Sequence, residues 1–380
     1  MKNTTKINLV NAFKSLIKND AAVESAKTIP GYVPIIVSII AVFLPVVPLM
    51  VSTGNTYGSQ FLKNQTYNLD RYNTDALLSL KEQGYEFEIK GGELLRFKDG
   101  TLDPVTAEQE AKPMDEYIVA VDDDNKEIKY QFFYTECTNS GEKKIKEFVN
   151  TITNTTYLTG TTHLKDSDEA KAVIDARQAE MTDGKDYKAT YYRPTFLVLY
   201  KNGIYTHLTK EGTTERVTTV AGDWKHTEEG TKLLERLLSV ETYDLANVTE
   251  RDNNNEFLLL RDLDYTAGVQ KNMNALYNET YLTAKRNNFL MYTFVFYGIY
   301  LVLVFFMGLM MFLLTRGKKN PMNYMSFWLC TKIAMWATIS PAVLAMILGF
   351  MLTNFATMFF IILYGVRVMW LSMRQLRPAY

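Results

Sequence analysis

Residues 33–52 read VPIIVSIIAVFLPVVPLMVS, twenty positions without a charged side chain. At a rise of about 1.5 Å per residue such a stretch makes a helix of about 30 Å, the thickness of a bilayer's hydrocarbon core. Pro34, Pro45 and Pro48 would kink or end a helix in water, but inside a membrane bundle neighbouring helices re-satisfy the carbonyls they free. The long basic lead-in, the length of the apolar run and the lack of an Ala-x-Ala site favour a retained anchor over a cleaved signal peptide.

Working outward, the same pattern returns near the carboxyl end. Residues 289–314 form a second apolar run, closed by Arg316, Lys318 and Lys319. The stretch after Met322 is apolar again and too long for one crossing, and Thr353-Asn354 divides it into a third span, 324–352, and a fourth, 355–371. Pro341 predicts a bend in the third. Tyr324, Phe327, Trp328 and Trp370 fall near predicted ends, where amphipathic rings favour the headgroup level.

Charge sets the orientation. The chain of 380 residues is nearly neutral, at −1, but its charges are sorted. Residues 1–52 carry five Lys against Asp20 and Glu24, and 289–380 carry seven basic residues and no acid. Residues 53–288 hold 29 basic and 40 acidic side chains. With four spans, the lead-in 1–32, the loop 315–323 and the tail 372–380 share one side, which the positive-inside rule makes cytoplasmic. The expected fold is therefore an integral membrane α-helical protein with an extracytoplasmic domain at 53–288, inserted between the first and second transmembrane helices. Both termini are expected in the cytoplasm of a multi-pass cell-membrane protein.

Within the lead-in, residues 8–18 (NLVNAFKSLIK) place Phe13, Leu16 and Ile17 on one helical face beside Lys14 and Lys18. Such an amphipathic helix either lies on an anionic leaflet or packs against the cytoplasmic ends of the spans.

The inserted domain reads as α+β. A helix over 74–83 precedes a strand at 85–89, a Gly91-Gly92 turn and a strand at 93–97. A second pair, 117–121 and 128–134, flanks Asp122-Asp123-Asp124-Asn125. Helical patterns follow at 141–153 and 167–181. Strands at 195–200 and 204–208 enclose Lys201-Asn202-Gly203, where Asn-Gly predicts a type I′ turn with positive φ. Helices at 228–238 and from 267 onward, the last running toward the second span, complete the domain. Residues 101–115, 155–165 and 209–227 read as polar loops.

Few residues carry chemistry. Asp122–Asp124 miss calcium-loop spacing, because Lys126 falls at the third ligand position. His163, His207 and His226 lack the i, i+4 spacing of a zinc helix. Cys137 falls in the outer domain and Cys330 in a span, so they are not expected to pair. No G-x-S-x-G, H-E-x-x-H, Walker loop or dinucleotide fingerprint occurs, and the spans lack the acids of proton relays. Neither an enzyme nor a cofactor is expected, and no basic stripe with interleaved aromatics calls for nucleic acid. Twelve of 17 Met follow residue 289, a pattern read as flexible apolar packing rather than a copper path. Two cations stand inside predicted spans. Lys332 lies about ten residues from the cytoplasmic end; it either snorkels to headgroups or contacts a neighbouring helix or ligand, and Arg367 poses the same choice nearer its end.

Three short motifs carry a family resemblance. They are Phe87-Glu88-Ile89-Lys90-Gly91-Gly92-Glu93-Leu94, Tyr117-Ile118-Val119-Ala120-Val121-Asp122, and Phe196 through Tyr200 followed by Asn202-Gly203-Ile204. With the order of parts (basic lead-in, anchor, outer domain, helical block), the chain resembles a Gram-positive bacterial family of membrane proteins labelled maltodextrin-utilisation proteins. That resemblance implies a place beside sugar ABC-transporter permeases and carries no catalytic residues with it. Expected partners are the lipid bilayer and other membrane subunits, an ABC permease or a substrate-binding protein. The first reading is thus a non-enzymatic accessory subunit of a carbohydrate ABC importer. An extracytoplasmic ligand sensor and a secretion or membrane-insertion helper stand beside it.

Overall fold

The computed structural model describes residues 14–15, 18–61, 69–106, 109, 112–121, 127–138, 144–149, 152, 195–209, 217–244, 249–316, 320 and 322–374. Most of the predicted amphipathic helix (including Phe13, Leu16 and Ile17), the Asp122–Asp124 turn, His163 and the helix predicted at 167–181 lie outside these residues. The chain divides into two compact units: residues 57–284, and residues 1–56 together with 285–380.

In the first of these, the sheet unit, helix α4 (Leu69–Glu82) precedes β1 (Tyr85–Lys90), β2 (Glu93–Lys98) and β3 (Thr101–Leu102), an antiparallel three-stranded sheet. Gly91 and Gly92 sit at φ 63° and 73°, the left-handed pair that a two-residue I′ hairpin requires. A second sheet has the order β4-β5-β6-β7-β8, with β4 (Asp115–Val121), β5 (Glu127–Thr135), β6 (Thr195–Tyr200), β7 (Gly203–Thr209) and β8 (Val217–Asp223). Only β5 and β6 pair in parallel. The run TFLVLY of β6 is buried at every position, as a strand covered on both faces demands. Leu197 and Leu199 face the main core, while Phe196, Val198 and Tyr200 face a smaller one with Phe133, Ile145 and Val149. Helices α5 (Leu233–Leu238) and α6 (Leu263–Thr280) close the main core with four leucines, Tyr265, Val269 and Met273. Asp262 caps α6 by accepting from the Asp264 and Tyr265 amides.

Three readings of this unit need correction. The 201–203 hairpin forms, but neither Asn202 nor Gly203 has positive φ. Gly203 pairs with Tyr200 as the first residue of β7, and a Cβ there would meet the Gly222 carbonyl at 1.9 Å. That glycine answers a close backbone approach rather than a turn conformation. Residues 217–223, read as loop, form the edge strand β8, where Val217, Thr218, Thr219 and Val220 supply β-branched residues. The helix expected from 228 begins only at Leu233, after a turn in which Gly230 takes φ 78°.

The helical unit contains α1 (Asn19–Thr28), α2 (Tyr32–Phe43), α3 (Val47–Gly54), α7 (Leu282–Thr315), α8 (Phe327–Ala337), α9 (Ile339–Met351) and α10 (Ala356–Arg374), α7 starting three residues ahead of the unit boundary. Four helices are long and apolar enough to cross a membrane: Tyr32–Gly54, Leu282–Thr315, Phe327–Met351 and Ala356–Met373. In the first, Pro45 and Pro48 tighten one turn into a 3₁₀ step at Leu44–Val46 instead of ending the helix. The second starts seven residues ahead of its predicted limit, and only Tyr281 separates it from α6. The third begins at Phe327 rather than 324, because Ser326 Oγ accepts from the Leu329 amide and fixes the helix start. Its helical ladder is interrupted at Thr338, three residues before Pro341. Glycines set the close packing: a Cβ on Gly308 would meet Thr331 Oγ1 at 2.8 Å, and one on Gly349 would meet Pro48 at 2.9 Å. Tyr300 and Tyr364, both fully buried, donate their hydroxyls to the Thr357 and Ala334 carbonyls.

A candidate functional site: two cations on the amino-terminal helix

Sequence reasoning offered Lys332 and Arg367 separately. The structure brings both onto one short helix that the sequence reading missed. α1, NDAAVESAKT, is mostly polar, yet its small residues Ala21, Ala22, Ser25 and Ala26 fall on one face and are buried. That face packs against α8. Spacing i, i+1, i+4, i+5 is the signal that could have found it.

Arg367, on α10, holds the amino-terminal end of α1. Its Nε donates to Asn19 Oδ1 at 3.2 Å and its Nη2 donates to the Ser15 carbonyl. Its Nη1 donates to Ser340 Oγ at 2.7 Å and to the Ala337 carbonyl at 3.2 Å. The last contact follows from the sequence. Pro341 has no N–H, so the carbonyl four residues earlier, that of Ala337, loses its helical donor. The guanidinium fills that position, so the proline in the third apolar helix also creates an acceptor for Arg367. A planar fork with five donors suits such a scattered set, where an ammonium would not.

Lys332, on α8, holds the other end. Its Nζ donates to the carbonyl of Ile29 at 3.2 Å. Ile29 is the C-cap of α1, where unsatisfied carbonyls and the negative end of the helix dipole favour a cation. Gly31, next in the turn, leaves room for the Trp328 indole, which a Cβ would meet at 3.4 Å. Of the predicted surface helix, Lys14 and Lys18 are described; both are exposed, and the Lys18 amide donates to the Lys14 carbonyl at 2.7 Å.

The docking of α1 is not uniformly favourable. Three alanine methyl groups gain about 0.8 kcal/mol each on burial. Against that, Ser25 Oγ is fully buried and meets no hydrogen-bonding partner among the described residues, a loss of about 1–3 kcal/mol. Trp336 Nε1, on α8, is equally orphaned.

The sheet unit satisfies its charges differently. Arg236 and Glu279 form a two-pronged pair, Arg251 pairs with Glu82, and Arg71 with Glu256 at 3.6 Å. Arg96 is only 4% exposed; it pairs with Asp103 at 2.9 Å and lies between the rings of Tyr85 and Tyr134. Between α4 and β4, Tyr117 donates its hydroxyl to Asp115 Oδ2 at 2.6 Å. Desolvation, reinforced by the Asp115 charge, pushes the carboxyl of Asp75 up to about 6, although Arg251 and Arg71 oppose it. Burial and the Asp115 carboxylate likewise push the Tyr117 phenol upward.

Of the remaining sequence candidates, His207 stacks on Phe196 at 4.9 Å, and Cys137 and Cys330 are both buried and do not form a disulfide. Among the described residues no group of three His, Cys, Asp or Glu converges as a metal site. Comparison with protein-family models, curated proteins and solved structures finds no match to this chain, so the resemblance to the maltodextrin-utilisation proteins rests on the quoted motifs alone.

Proposed function

We propose that the chain is a multi-pass cell-membrane protein with both termini in the cytoplasm and residues 53–288 outside. In this reading it works as a non-enzymatic accessory subunit of a bacterial plasma-membrane complex. The complex that fits best is a carbohydrate ABC importer, with the outer domain touching the permease or the substrate-binding protein. The observation that carries this reading is the use made of Lys332 and Arg367. Each donates to neutral acceptors of its own unit. Cations engaged in joining helices suit an assembling subunit better than one that moves ions or protons, where charged groups face a water-filled path. The basic flanks of the four apolar helices support the orientation. The quoted motifs at 87–94, 117–122 and 196–204 support the importer.

Affinity purification from native bacterial membranes in mild detergent tests it. Permease or substrate-binding protein should co-purify in near-stoichiometric amount. Recovery of the intact chain without any transporter subunit would remove the importer from the proposal. Thiol labelling of single cysteines placed at Lys225 and Lys14, in a background lacking Cys137 and Cys330, tests the orientation. An impermeant reagent should reach only the first in intact cells.

A further inference from the structure

α1 is attached to the rest of its unit in an unusual way. Its two ends are pinned by long side chains, Arg367 at Ser15 and Asn19 and Lys332 at Ile29, while its middle packs through the methyl groups of Ala21, Ala22 and Ala26 and a partly buried Val23. The middle of that face also buries Ser25 Oγ, which finds no partner among the described residues. An unsatisfied hydroxyl at the centre of the face offsets part of what the small apolar groups gain on burial. The connection to α2 is equally economical. Only residues 29–31 (Ile-Pro-Gly) lie between the two helices, closed by a Val33 amide donating to the Pro30 carbonyl at 3.1 Å.

We propose that α1 is a reversible strap, which docks on α8 and α10 through the Lys332 and Arg367 pins and swings away as a unit about the 29–31 turn. Among the described residues, every hydrogen bond of Lys332 and Arg367 goes to a carbonyl, an amide oxygen or a hydroxyl, and none to a carboxylate. Contacts of a cation with neutral acceptors lack the attraction of an opposite charge, so the pins locate the helix without the hold of an ion pair. Asp20, Glu24 and Lys27 already face outward, so release leaves that face unchanged. Departure of the strap bares Lys332 and Arg367, and it sets α1 free as a tethered arm. Small interfaces with polar pins are the elements that open locally below the global unfolding free energy. A strap of this kind works in the same way whichever complex the chain joins.

Hydrogen–deuterium exchange of the full chain in lipid nanodiscs tests the strap. Amides of residues 21–28 should exchange at least about tenfold faster than those of residues 330–337 on α8, and faster than those of α2. Arg367→Gln should raise exchange over 21–28 by a further factor of about ten while leaving α8 within about twofold. Ser25→Ala, which removes the orphan hydroxyl and keeps the small face, should slow exchange over 21–28 by about fivefold or more. Equal protection of α1 and α8 in the unaltered chain would overturn the proposal. So would a Ser25→Ala chain with unchanged exchange over 21–28, a result that does not depend on the Arg367 variant folding. Loosening spread over the whole helical unit in Arg367→Gln would also overturn it, since it would make the pin a general stabiliser of the bundle.

Discussion

The two units of this chain face one problem, a cation partly withdrawn from solvent, and answer it in opposite ways. In the sheet unit Arg96, Arg236 and Arg251 each meet a carboxylate. In the helical unit Lys332 and Arg367 meet carbonyls, a hydroxyl and an amide. Composition and placement make the difference: 53–288 holds 40 acids, while 289–380 holds none and the two acids of 1–52, Asp20 and Glu24, face outward from α1. Where carboxylates are absent, the acceptors left are backbone carbonyls whose helical donors are missing, and those occur at helix ends and four residues before a proline. Ile29 is the first kind and Ala337 the second.

The comparison breaks most visibly at Arg367. Arg367→Leu would leave the Ala337 carbonyl, Ser340 Oγ and the Asn19 amide without their donor. We expect a loss of about 3 kcal/mol in the helical unit, from roughly 1 kcal/mol for each stranded acceptor. Thermal unfolding in detergent, followed by tryptophan fluorescence, would check it. Arg367→Lys should recover less than half, because one ammonium cannot reach acceptors spread around a planar fork. Full recovery by Lys would mean that charge alone, and not the fork, holds the site.

In the sheet unit the matching change is Asp103→Asn. It keeps the shape and removes the carboxylate from Arg96, whose side chain is 4% exposed, while Asp103 itself is 31% exposed. The partial exposure of Asp103 limits the effect to about 2 kcal/mol, below the range for a fully buried pair. Stacking on Tyr85 and Tyr134 should persist in Asp103→Asn and is lost in Arg96→Met, so the second change ought to cost more than the first. Urea unfolding with the domain's near-ultraviolet circular dichroism as the signal would measure both. A urea midpoint unaffected by Asp103→Asn would reduce this pair to a surface contact.

A good part of this architecture is legible in the residues. Uninterrupted apolar runs reveal the four long helices, since nothing but burial in an apolar medium explains eighteen or more such positions. Gly91-Gly92 reveals its hairpin because φ of 63° and 73° is open to glycine and strained elsewhere. Asn202-Gly203 misleads for an instructive reason: its glycine is demanded by the Gly222 carbonyl across the ladder, a tertiary fact with no local trace. β8 is hidden in the same way, since an edge strand rich in threonine has the composition of a loop until its neighbour is known. At the candidate site, Lys332 and Arg367 stand out as lone charges in apolar runs. Their acceptors do not, because Ser15, Ile29 and Ala337 act through backbone carbonyls that no side-chain pattern advertises. Only the Pro341–Ala337 offset was readable in principle.

Titration sharpens the comparison on the side that has carboxylates. The folded-state value of Asp75, about 6, lies above its ordinary value of 3.8. Between those values the folded sheet unit binds more protons than the unfolded chain, so its stability falls as pH rises from about 4 to 6 and stays lower above that. Glu82, Asp252 and Asp262 are held below their ordinary values by their hydrogen bonds to Arg251, to the Glu256 amide and to Tyr243, a shift opposite in sign to that of Asp75. Lowering pH from 7.5 to 5 should therefore stabilise the sheet unit by about 1 kcal/mol, after discounting for the partial exposure of Asp75. Asp75→Asn should abolish that slope and raise stability at pH 7.5 by a similar amount. A slope that survives Asp75→Asn would assign the proton to another group, Asp70 first, whose carboxyl burial also pushes upward.

The smallest effect tests the idea that a missing helical donor is what attracts Arg367. Pro341→Ala supplies an N–H four residues after Ala337 and lets the carbonyl close its own helix. The guanidinium then competes with a backbone amide for one acceptor while keeping Ser340, Asn19 and Ser15. The single change should be close to neutral, since the regained helical bond offsets one weakened side-chain contact. The coupling is the informative quantity. In the Pro341→Ala background, Arg367→Leu should cost about 1 kcal/mol less than in the unaltered chain, the worth of one hydrogen bond no longer lost. A double-mutant cycle on thermal stability reads it directly. Zero coupling would mean that Arg367 and Pro341 are neighbours without being partners, and that the guanidinium is held by the α1 end of its contacts alone.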